Sequence, residues 1–209
     1  MPLLYHDSFA YHDKHLVVEI CYTSTMIYIQ CALLAEAAFL IDTYQLGKID
    51  DEYFTIFANE KMSVIISGIG KVQAAIATTY LLQKYRPNQE DKIYNLGIAT
   101  STQDAIMIGS LHRVNKLIDQ ASAKVYHLAG TGEALSCVEK ALTSPKGIKT
   151  PLADMESVGF YLSAKHFISK EQIFILKIIS DKTDTTILPT AAIKALFYKH
   201  SKTLGALLS

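Results

Sequence analysis

The chain has 209 residues, half of them hydrophobic, long enough for one domain with a substantial core. Lys+Arg and Asp+Glu each number 20, so the formal net charge is zero, and no basic block calls for nucleic acid or a membrane surface. Its apolar runs are too short or too interrupted to span a bilayer. The opening residues 1–15 carry charges and histidines where a signal peptide needs an apolar core, so a cytoplasmic protein is expected.

Residues 1–25 read as an N-terminal extension of unclear role. A weak strand is suggested at Leu16–Val18 and Ile20–Tyr22. His6, His12 and His15 fit no common ligand spacing and read as solvent-exposed, so no metal is expected. Cys21, Cys31 and Cys137 also lack metal or redox spacing, and their odd number argues against a disulfide framework. They read as small core hydrophobes.

From residue 26 the pattern sharpens. Met26–Leu33 reads as a buried strand and Leu34–Ile41 as a helix, with Glu36 at their junction. A carboxylate in a first helical turn is often only favourable dipole placement. Tyr53–Ala58 and the residues after Asn59-Glu60 suggest a hairpin that leads into the short apolar strand Ser63–Ser67. Gly68-Ile69-Gly70 then opens a helix over Lys71–Tyr85, which Pro87 closes. A strand, a glycine turn and a helix together make a backbone site for an anion or a sugar. A dinucleotide fingerprint would want a third glycine where Gln73 stands, which makes that reading the weaker one.

Lys92–Gly97 is the next strand, followed by Ile98-Ala99-Thr100-Ser101, and Ile108–Ile118 alternates as a further strand. Residues 121–150 are the least readable, with a short helix suggested over Glu133–Leu142. Leu152–Glu156 precedes a helical pattern from Ser157 to Phe167. Ile173–Leu176 runs into Ile178-Ile179 without polar alternation, typical of a strand buried on both faces, and the run stops at Ser180-Asp181, with Asp184 close behind. Thr190–Leu208 is a closing amphipathic helix. Strands and helices alternate without repeat or linker, giving a single α/β domain over 26–209.

Three segments carry a resemblance: Ser67–Val72 with Ala74-Ala75, Asp154-Met155-Glu156, and Ser180-Asp181 with Asp184. In order and spacing, residues 26–209 resemble the nucleoside phosphorylase/nucleosidase superfamily. The nearest branch is that of the 5′-methylthioadenosine/S-adenosylhomocysteine nucleosidases and futalosine hydrolases. The resemblance implies a single α/β domain around a mixed, twisted central sheet flanked by helices, and hydrolysis of the N-glycosidic bond of a purine nucleoside, without cofactor or metal, in a homodimer. By the same resemblance Asp181 is the general acid that protonates the base at N7, oriented by Ser180. Glu156 accepts the ribose hydroxyls above Met155, and Glu36 activates water. Gly97 and Ile98 belong to the strand-end segment beside the sugar. Phosphorylases hold phosphate there with an arginine and a serine; here Asn95 and Ile98 stand at those positions, which favours hydrolysis. A phosphate-dependent phosphorylase is one alternative. A catalytically degenerate member that binds a nucleoside or base is the other, since Ile98-Ala99-Thr100 departs from the family's small-residue pattern. The aromatic that stacks on the base in adenine-specific members has no counterpart in Leu142–Gly147.

Overall fold

A computed structural model describes residues 25–183 and 188–208. His6, His12, His15, Cys21, the suggested strand at residues 16–22 and Asp184 lie outside those residues.

The long strand β5 (Lys92–Ser101) pairs with three others and joins the two parts of the sheet. In chain order the elements are β1 (Ile27–Cys31), α1 (Leu34–Tyr44), β2 (Gly47–Ile49), β3 (Thr55–Ala58), β4 (Met62–Ile66) and α2 (Lys71–Tyr85). Then come β5 (Lys92–Ser101), β6 (Leu111–Asp119), β7 (Val125–His127), β8 (Glu133–Cys137) and β9 (Leu152–Asp154). The chain closes with α3 (Ser157–Ala164), β10 (Ile173–Asp181), α4 (Thr190–Lys199) and α5 (Ser201–Leu207). β5 pairs in parallel with β1 on one side and β10 on the other, and its last residues, Thr100 and Ser101, pair antiparallel with β9. The order β10-β6-β8-β9-β5 closes on itself through the β10–β5 pairing, while β1, β4, β3 and β2 extend the sheet outward. This is a mixed sheet, parallel where the helical crossovers fall and antiparallel at the β3–β4 hairpin.

Two apolar cores lie on the two faces. One joins α2 and α3 to the sheet through Ala77, Leu81, Phe160 and Ile175. The other packs α1 and α4 through Phe39, Leu40, Ile193 and Phe197. Strand β10 belongs to both, since Ile173, Ile175 and Ile179 face the first while Leu176 and Ile178 face the second. That explains its lack of polar alternation, because alternation is lost when both faces are covered.

The structure departs from the sequence expectations in three places. Glu133–Leu142 is not a helix: Glu133–Cys137 forms β8, parallel to both β6 and β9. The closing helix is two helices that meet at His200, whose Nε2 lies 2.6 Å from the Gly109 carbonyl oxygen. The strand expected over Lys92–Gly97 does not stop there but runs on through residues 98–101 as one strand, β5.

Candidate active site

At the carboxyl ends of β1, β5, β9 and β10 the chain encloses a cavity of about 250 Å³. Glu36, Ile98, Thr100, Asp154, Met155, Glu156, Ser180 and Asp181 all line it, brought together from segments far apart in sequence. The remaining wall is aliphatic, with Leu33, Ile69, Val138, Leu142 and Ile193 among its residues. Among the described residues, no aromatic side chain lines it.

Glu36 is placed by the start of α1. Its Oε2 accepts the Leu33 N–H at 2.8 Å, the reciprocal half of a capping box, and its Oε1 accepts the Ile98 N–H at 2.9 Å. The residue is 2% exposed. Burial pushes its carboxyl above the usual range, while the Lys177 ammonium and those backbone N–H groups pull the other way. Gly97 lies against it: a Cβ there would stand 3.1 Å from Glu36 Oε1 and 3.2 Å from Lys177 Nζ.

Glu156 sits just before α3. Its Oε1 accepts the Gly70 N–H at 2.8 Å, so the glycine turn of the Ser67–Val72 segment faces this carboxylate. Gly70 has φ 108°, a conformation that suits a residue without Cβ. Burial, followed by the negative charge of Asp154, pushes the Glu156 carboxyl up to about 7. Lys177 and the Gly70 N–H limit the rise.

Asp181 ends β10 and is half-buried. Its Oδ2 accepts the Ser180 hydroxyl at 2.6 Å and its Oδ1 accepts the Thr183 N–H at 3.0 Å. Asp181 is less buried than Glu36 and Glu156, which are 2% and 7% exposed.

The sequence reading missed the buried pair beneath these carboxylates. Lys177 and Asp154 are each about 1% exposed at the side chain, with Nζ 2.8 Å from Oδ2. Burial disfavours the ammonium, but Asp154, Glu156 and Glu36 outweigh that and raise its pKa. Asp154 also accepts from the Ser157 N–H at 3.1 Å and from the Ser157 hydroxyl, fixing the first turn of α3. A chain of buried side chains runs on from Ser157 through Asn95 and Gln30 to Ser67. Asn95 therefore belongs to the scaffold behind the site and does not line the cavity. One signal was available in the sequence: a lysine inside the apolar run Ile173–Ile179 needs a buried partner.

Among the described residues, no cluster of His, Cys, Asp and Glu is arranged to hold a metal ion. Among the same residues, no helix is long and apolar enough to cross a membrane.

No protein-family model matches this sequence. A 5′-methylthioadenosine/S-adenosylhomocysteine nucleosidase from Shewanella piezotolerans is 46% identical over 54 residues, which span 26% of this chain and 22% of that relative. The likeness of fold extends much further. The same kind of nucleosidase from Helicobacter pylori, in a mutant form with 5′-methylthioadenosine in its active site, superposes with a TM-score of 0.73. That match has 15% identity and covers 88% of this chain and 97% of the other. A futalosine hydrolase mutant from Helicobacter pylori gives a TM-score of 0.71 at 16% identity over 87% of this chain and 97% of its own. The chain has the nucleosidase fold.

Proposed function

We propose that this chain, built on the nucleosidase fold, hydrolyses the N-glycosidic bond of a purine nucleoside of the methylthioadenosine, S-adenosylhomocysteine or futalosine type. The observation that carries this reading is the convergence of Asp181, Glu156 and Glu36 on one cavity at the strand ends. Asp181 gives a proton to N7 of the base as the C1′–N9 bond breaks. The positive charge that develops on the sugar faces Glu156, whose carboxylate accepts the ribose hydroxyls. Water adds to C1′ and passes its proton to Glu36, whose carboxylate is held at the cavity wall by the Leu33 and Ile98 N–H groups. The products are free base and free sugar. Met155 supports the ribose from below, and Ser180 orients Asp181. No cofactor takes part in this scheme.

Phosphorolysis is not favoured. Glu36, Asp154, Glu156 and Asp181 all line the cavity, and Lys177, the ammonium beneath them, is already paired with Asp154. A phosphate dianion there would meet carboxylates rather than donors. A second reading, a nucleoside-binding protein without turnover, draws support from the bulk of Ile98 and Thr100 on the cavity wall.

The homodimer is also part of the proposal. Ile69, Val72 and Ile76 are exposed along the start of α2, and Ile69 lines the cavity as well. A second copy covering them would finish the wall beside the substrate. A cytoplasmic location fits the free, buried Cys31 and Cys137.

One assay tests the reading: chromatography for free base from a panel of purine nucleosides, with and without phosphate. Base release without phosphate, lost in Asp181→Asn, is the expected result. Tight adenine binding with no product from any nucleoside would move the assignment to the second reading.

A further inference from the structure

We infer that Thr100 is a positioning residue for Asp181, its hydroxyl tying the end of β5 to the turn that carries the carboxylate. The inference rests on the nucleosidase reading for its effect on rate, but the tie itself is a matter of geometry.

Strands β5 and β10 run in register from Ile173↔Ile93 to Ile179↔Ala99, and then the register shifts so that Asp181 partners Thr100. The extra residue, Ser180, is a bulge, and a bulge at a strand end re-aims the side chain that follows it. Here that side chain is Asp181, which lines the cavity. A bulged end has lost its regular ladder, so something else must hold it.

The Thr100 side chain does so. Its Oγ1 accepts the Thr183 N–H at 2.7 Å, and its hydroxyl donates to the Asp181 carbonyl oxygen at 3.4 Å. A hydroxyl has one hydrogen and two lone pairs, so both bonds are made at once. The same Thr183 N–H reaches Asp181 Oδ1 at 3.0 Å, which links Thr100 to the carboxylate through one shared donor. Thr183 itself has φ 63°, rare for a β-branched residue, and such a conformation persists only where the surroundings enforce it. With Ser180 Oγ on Oδ2, both oxygens of Asp181 accept hydrogen bonds, one from the bulge and one from the turn that Thr100 ties to β5. Valine has the shape of threonine but neither bond, and serine has both bonds without the methyl group.

The experiment compares Thr100→Ser, Thr100→Val and Thr100→Ala with wild type in two readouts. The first is base release. Thr100→Ser should keep kcat, while Thr100→Val and Thr100→Ala should lose about 10- to 100-fold, the scale of a displaced catalytic group. KM should stay within about twofold in Thr100→Val, which keeps the shape of the cavity wall. The second readout, hydrogen exchange at the Thr183 amide, needs no turnover. Protection should persist in Thr100→Ser and fall in Thr100→Val and Thr100→Ala. Wild-type kcat and full Thr183 protection in Thr100→Val would overturn the inference, as would equal losses in Thr100→Ser and Thr100→Val. If wild type cleaves no nucleoside, the proposed activity falls, and amide exchange alone decides for or against the tie. If Thr100→Val does not fold, Thr100→Ala carries both readouts.

Discussion

Glu156 is the residue whose environment makes the plainest pH forecast. Its pKa rises from 4.5 to about 7, through burial first and Asp154 second. The folded chain therefore holds this proton at pH values where the unfolded chain has lost it. The stability it contributes is full below 4.5 and is lost as pH rises through about 7. Unfolding free energy measured in denaturant should fall across that interval, and Glu156→Gln should flatten the fall. Activity should run the other way, since in the proposed mechanism Glu156 accepts hydrogen bonds from the ribose hydroxyls as a carboxylate. The low-pH limb of kcat/KM is expected near pH 7 and should shift or vanish in Glu156→Gln. The buried Lys177–Asp154 pair gives a second forecast at this scale. Lys177→Met leaves Asp154 uncompensated and should cost about 3–5 kcal/mol of stability, read from chemical denaturation. Lys177→Met with Asp154→Asn should recover part of that loss.

Among the elements, the contact between α2 and α3 depends on one glycine. A Cβ on Gly159 would lie 1.9 Å from the Lys71 carbonyl oxygen, so the two helices approach as closely as backbone allows. Gly159→Ala must force them apart and should destabilise the fold by about 3 kcal/mol, the upper end for overpacking. Because α3 follows Glu156 and α2 follows Gly70, the same change should weaken the Gly70–Glu156 contact, read as a rise in KM. Elements were legible where one physical signal dominated. The run Ile173–Ile179 has no alternation because both faces are covered, and the strand was read from that alone. Glu133–Leu142 shows the opposite case. Its Ala, Leu and Glu content favours a helix, yet Leu135, Ser136 and Cys137 are buried as the central strand between β6 and β9. Pairing with two distant strands outweighed local propensity. The break at His200 likewise depends on the Gly109 carbonyl, 91 residues away in sequence.

On the scale of the whole molecule, the closed strand circuit around β5 and the outward β1–β4 extension leave one mouth at the strand ends, lined by carboxylates. Base release should accordingly be unchanged when phosphate is added, and the sugar product should carry no phosphate in mass spectra. The amino-acid order alone determined the α/β alternation, the buried character of β1, β5 and β10, and the strand-end position of Glu36 and Asp181. These follow from periodicity and β-branched content, which act over a few residues. Only the tertiary structure decided which carboxylate is most enclosed, that Lys177 lies beneath Gly97 against Asp154, and that Thr100 meets the turn after Asp181. Each of these depends on strands far apart in sequence lying side by side, and burial and charge coupling arise only once those strands have packed.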